Sequence, residues 1–79
     1  MDMVEIIGTV VGVKDATNGT FFLVRTETGG YEKLYDFLWQ YEFIGVGTVG
    51  TFLVDGLPRW NPCTESWEAI LRIVKFAEG

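Results

Sequence analysis

Three consecutive stretches decide how this chain reads: Met3-Val-Glu-Ile-Ile-Gly-Thr-Val-Val-Gly-Val-Lys14, Asp15-Ala-Thr-Asn-Gly19 and Thr20-Phe-Phe-Leu-Val-Arg-Thr26. The first is rich in Val and Ile, which fit a pleated, half-buried surface. Gly8 and Gly12 would each weaken a helix there, so the stretch reads as a long strand bent at its glycines. Asn18-Gly19 supplies the positive φ angles of a hairpin turn, and Thr20–Thr26 is the returning strand.

Beyond this hairpin, Glu27-Thr-Gly-Gly30 marks a second turn, and residues 31–43 then allow two readings. At a period of two, Tyr31, Lys33, Tyr35, Phe37, Trp39, Tyr41 and Phe43 share one face, as in a strand with an aromatic side. At the helical period, Tyr31, Leu34, Tyr35 and Leu38 share a face opposite Glu32 and Asp36. The aromatic content favours a strand over about 31–37 followed by a short helical turn. Residues 46–54 read as a further strand, and Asp55–Thr64, which holds Pro58 and Pro62, reads as a long loop. Residues 65–76 are again open. Trp67, Ala69, Leu71 and Ile73 alternate as in a strand, whereas Trp67, Ile70, Leu71 and Val74 form a helical stripe. Thr64 would cap that helix and a Glu68–Arg72 pair would brace it. The β-branched Ile70, Ile73 and Val74 tilt the balance toward strand.

The expected fold is therefore mostly β. It is a small five-stranded OB-like or SH3-like barrel, a single domain over residues 1–79. The alternative is an α+β domain with helices at about 31–42 and 65–77. Barrel closure would remove the exposed strand edges that invite aggregation.

Composition narrows the function classes. With 79 residues the chain has room for one domain, and its 15% aromatic content brings large buried areas to a small core. Cys63 is the only cysteine and histidine is absent, so no disulfide framework, zinc site or Ser/Cys–His nucleophile is available. The chain is read as non-enzymatic and without a cofactor. Gly45-x-Gly47-x-x-Gly50 matches a dinucleotide fingerprint literally, but it lies in a β-branched run with no strand–helix unit around it. Net charge is −5, and Lys14, Arg25, Lys33, Arg59, Arg72 and Lys75 are nowhere adjacent, so the clustered cations of a duplex-DNA binder are missing. No apolar run reaches the roughly 18–20 residues of a membrane-spanning helix. Met1-Asp2-Met3-Val4-Glu5 lacks the basic start and apolar core of a signal peptide. The expected location is the cytoplasm.

The order of elements and some local wording resemble the cold-shock and S1-like branch of the OB-fold. Gly8-Thr-Val-Val-Gly-Val13 looks like that family's opening strand, and Asn18-Gly-Thr-Phe-Phe-Leu23 resembles its Lys-Gly-Phe-Gly-Phe-Ile motif. Leu34-Tyr-Asp-Phe-Leu38 sits where the family has Val-Phe-Val-His-Phe. Gly45–Val54 resembles its later Gly-x-x-Val-x-Phe strand. The resemblance implies a barrel that stacks single-stranded nucleic acid on exposed aromatic rings. The family's stacking and basic positions are altered here: Gly12 replaces a Trp, Thr20 a Phe and Asn18 the basic residue, while Phe22 is retained.

The residues expected to meet a partner are Trp60, Arg59, Trp39, Tyr35, Phe37, Tyr41, Phe22, Asp36 and Asp55. Trp60 and Arg59 share the expected loop in the composition of an interaction hot spot. Trp60 folded back to plug a barrel end is the competing placement. Tyr35, Phe37, Trp39 and Tyr41 belong to an aromatic row too large to be wholly core. Asp36 and Asp55 belong to an acidic rim with Asp15, Glu27, Glu32 and Glu42. The leading expectation is a protein-binding or inhibitor module for a partner with a basic surface. By analogy, small acidic phage proteins that block host defence nucleases fit that description, which would place the chain in a host cytoplasm. The alternative is a single-stranded nucleic-acid binder that stacks bases on Phe22, Tyr35, Phe37 and Trp39. A homo-oligomeric structural subunit, for instance a homodimer, is the third.

Overall fold

The computed structural model describes Met3–Gly79; Met1 and Asp2 lie outside the described residues. Five strands form, β1 (Val4–Ala16), β2 (Gly19–Thr26), β3 (Tyr31–Phe37), β4 (Val49–Asn61) and β5 (Ser66–Glu78). They close into a barrel in the order β1-β2-β3-β5-β4, with β4 returning to β1. Every neighbouring pair is antiparallel except β3 and β5, which run parallel. No helix of the described chain is long and apolar enough to cross a membrane.

The β1–β2 hairpin forms where the Val/Ile-rich stretch and its turn demand it. Ala16 pairs with Gly19 across a two-residue turn, and Asn18 takes the left-handed conformation at φ 59°. Gly19 serves a different purpose from the one expected. Its φ is not positive; a Cβ there would collide with the Asp36 carbonyl oxygen and press on the Tyr35 ring. β1 pairs with β4 through Val4–Thr9 and with β2 through Gly8–Ala16, so it must bend between the two. The bend is a bulge between Val10 and Gly12. There the Val10 amide donates to the Thr48 carbonyl at 2.8 Å, and its own carbonyl accepts from Gly47 at 2.8 Å.

Strands replace both helical alternatives. Each residue of Tyr31–Phe37 pairs with β2 or follows its ladder, from Arg25↔Tyr31 to Gly19↔Phe37. Residues beyond Phe37 turn instead of forming a helix, because Leu38 and Trp39 are both left-handed, at φ 61° and 53°. The segment expected as a helix at 65–77 pairs with β4 from Asn61↔Ser66 to Gly50↔Glu78. Thr64 therefore caps nothing, and Arg72 reaches Asp55 across the sheet instead of Glu68 along a helix.

The expected long loop at 55–64 is also corrected. β4 continues to Asn61, and only residues 62–65 turn. Beyond Val54, β4 no longer pairs with β1 among the described residues, so Pro58 sits on a strand whose one described neighbour is β5 and removes no ladder bond on its other side. The result is a two-stranded arm that extends the β4–β5 pair past the barrel wall.

Ile6, Val10, Phe22, Val24, Leu34, Ile44, Phe52, Val54 and Ile73 make the core. Alternate residues of each strand supply it, so the intervening residues line the outside. Ile44 enters from the β3–β4 connection and is held there by a hydrogen bond that its amide donates to the Tyr41 carbonyl at 3.0 Å. Tyr41 packs on this core, and its hydroxyl donates to the Val74 carbonyl at 2.9 Å.

Candidate functional site

Register places one residue from each strand on a continuous rung across the outer wall. Lys14 of β1 pairs with Phe21 of β2, Phe21 with Tyr35 of β3, Tyr35 with Arg72 of β5, and Arg72 with Asp55 of β4. The first three members form the floor of a groove of about 570 Å³. One wall is the β1–β2 turn at Asp15–Thr17, and the other is the arm at Leu57, Pro58, Arg59 and Ile70. Lys33 and Phe37 flank Tyr35 on the same outward row of β3.

The aromatic floor is ordered by packing. Tyr35 is buried beneath its neighbours, with ring centroids 5.0 Å from Phe21 and 6.1 Å from Phe37. Its hydroxyl donates to the Thr17 carbonyl at 2.7 Å, which ties the floor to the β1–β2 turn. Phe37 is left 38% exposed and so offers a ring to a ligand. The Lys33 ammonium stands 4.2 Å from the Phe21 ring centroid, a cation–π contact on the groove side.

Charge in the groove runs against that of the molecule. The chain carries −5, yet Lys14, Lys33 and Arg59, half of its basic residues, line this one groove, where Asp15 is the only carboxylate among the described residues. Among the described residues none of these three cations is in an ion pair. Arg72, next along the rung, is paired with Asp55. Its Nε and Nη2 donate to the two Asp55 carboxylate oxygens at 3.0 and 2.6 Å. That two-point bond holds the Asp55 carboxyl below its usual 3.8 and raises Arg72.

The expected partner residues divide by where the strands put them. Arg59 and Phe37 line the groove, and Tyr35 underlies it. Phe22 is corrected: it is 1% exposed, because even-numbered residues of β2 point inward, and Phe21 takes the outward place. Asp36 is no rim residue. It is buried, and its carboxylate accepts from the Gln40 and Tyr41 amides at 3.0 and 2.9 Å, which folds the chain back after β3. Asp55 is committed to Arg72. Tyr41 is half-buried against the core. Trp39 is exposed on the left-handed turn. Trp60 does not plug the barrel; it is 47% exposed on the arm, edge-on to Trp67 at 5.7 Å.

Phe21, Lys14, Lys33 and Trp67 were not among the expected contacts. A signal for Phe21 exists in the sequence. Arg25 must face water, and a period of two then puts Leu23 and Phe21 on the same outward row. No protein-family model, curated protein or solved structure matches the chain.

Proposed function

We propose that the barrel binds single-stranded nucleic acid across the Lys14–Phe21–Tyr35 floor. The observation that carries this reading is the concentration of unpaired cations over an aromatic floor in an otherwise acidic molecule. Bases stack on rings without regard to sequence, while Lys and Arg follow the phosphates. Phe37 supplies the open ring. Lys33 covers Phe21 in the free protein and shifts to a phosphate when a base takes its place. Few neutral hydrogen-bonding side chains line the groove, so the binding discriminates little between bases. The resemblance of the sequence to the OB-fold supports the same reading, since that barrel uses its strand 2–3 face with the β1–β2 and β4–β5 connections as walls.

Fluorescence anisotropy with a labelled oligothymidylate tests it. With three phosphate-contacting cations, log K falls against log salt with a slope of about −2. Phe37→Ala weakens binding by about 1–3 kcal/mol if one base stacks there. Lys14→Ala, Lys33→Ala and Arg59→Ala each lower the affinity and flatten the salt slope by about 0.7. Salt-insensitive or absent binding at low ionic strength refutes the proposal.

A second reading, a protein-binding or inhibitor module, is favoured by the exposed Trp60–Trp67 pair on the arm. Two large rings held at a protein surface have the composition of an interaction hot spot. Under that reading Trp60→Ala abolishes partner capture while oligonucleotide affinity is nil.

A further inference from the structure

A second groove, of about 490 Å³, has the opposite chemistry. It opens where two strand edges lose their neighbours. The β1–β2 ladder begins at Gly8, with one further bond from the Glu27 amide to the Ile7 carbonyl at 3.2 Å, and among the described residues β3 is bridged to β5 only at Leu34 and Tyr35. The edges of Val4–Ile6 and of Tyr31–Lys33 thus bound a seam in the barrel wall. Its floor is apolar, formed by Ile6, Val54 and Leu71. Its rim holds Glu5, Glu27 and Glu32, and no Lys or Arg lines it. Tyr31, 61% exposed, stands at one side.

We infer that this seam receives an extended segment of a partner protein in which lysine or arginine alternates with aliphatic residues. The argument is complementarity of two kinds. An extended chain projects successive side chains to opposite sides, so one row can reach the apolar floor while the other meets the carboxylates. Tyr31–Lys33 pair with β2 on one side only, so the backbone groups on their other side offer donors and acceptors for strand addition, the mode in which main-chain bonds give affinity and alternating side chains give specificity. An anionic ligand is repelled by the same carboxylates, which separates this seam from the cationic groove on the outer wall.

Anisotropy of a short labelled peptide alternating lysine with valine tests the inference on the full chain. The peptide binds, the same peptide with serine in place of valine does not, and the version with glutamate in place of lysine does not. The triple change Glu5→Gln, Glu27→Gln and Glu32→Gln weakens binding about tenfold, the effect of removing three solvent-exposed ion pairs. A charge-matched control, Glu42→Gln with Glu65→Gln and Glu78→Gln, leaves it unchanged, because those carboxylates are exposed away from the seam. Equal binding of the serine peptide, or an equal effect of the two triple variants, reduces the contact to bulk charge and overturns the inference; so does no binding at all. Oligonucleotide binding by the same variants is read separately, so either site can fail alone.

Discussion

Asp36→Ala examines how the open rings of the β3–β4 region are held. The carboxylate is 1% exposed and accepts two backbone amides, Gln40 at 3.0 Å and Tyr41 at 2.9 Å. A hydrogen bond to a charged group contributes roughly 1.5–3 kcal/mol, and a buried amide left without a partner costs about as much. Loss of both therefore costs about 3–5 kcal/mol. Part returns, because Leu38 and Trp39, at φ 61° and 53°, are freed from the left-handed conformation. Such residues hold roughly 1 kcal/mol of strain each. The net expectation is a loss of about 1–3 kcal/mol. A domain of this length has about 4–12 kcal/mol in total, so the midpoint of urea unfolding falls markedly with little change in slope. Asp36→Asn keeps one acceptor and loses about half as much. Amide exchange across residues 38–48 speeds in both variants. A loss under about 0.5 kcal/mol for Asp36→Ala, or an Asn variant as damaged as the Ala one, refutes the reasoning.

The two adjacent phenylalanines of β2 should separate cleanly. Phe22→Ala opens a core cavity and costs about 3–5 kcal/mol in denaturant unfolding, whereas Phe21→Ala costs far less and instead weakens oligonucleotide binding. Gly50→Ala drives a Cβ against the Phe76 ring and the Ala77 carbonyl, so thermal unfolding shifts sharply downward. Asp55→Asn removes the two-point bond to Arg72 and costs about 1 kcal/mol at neutral pH, the scale of a partly exposed pair. Because the folded carboxyl is depressed, its contribution is in place above the ordinary value of 3.8 and is lost as pH falls through the lower folded value. Wild type and Asp55→Asn should therefore converge in stability at strongly acid pH and differ above it.

The barrel was legible in the chain where local chemistry and tertiary packing agree. In residues 3–26, β-branched residues, Asn18 and the period of two all point to one hairpin, and it forms. The arm was not legible. Gly56, Pro58 and Pro62 have the composition of a loop, and only the missing β1 neighbour beyond Val54 lets a proline sit in that strand. Asp36 misled because an acidic residue among aromatic ones looks like a solvent-facing position. Its two amide partners lie four and five residues ahead, in a turn whose left-handed Leu38 and Trp39 no propensity anticipates. The groove itself depends on the parallel pairing of β3 with β5, and so on contacts between residues about 37 apart in the chain, such as Leu34 and Leu71. Periodicity within a strand says which residues face outward. It does not say which outward residues of distant strands share a rung.

The central claim is that the cationic aromatic groove on the outer wall takes a single strand. Amide chemical-shift mapping during titration with a short oligothymidylate at low salt tests it most directly. The account predicts shifts at Lys14, Phe21, Lys33, Tyr35, Phe37 and Arg59, with Glu5, Glu27 and Tyr31 of the acidic seam unmoved. Shifts gathered at Trp60 and Trp67 alone, or no shifts anywhere on the Lys14–Phe21–Tyr35 floor, would contradict it.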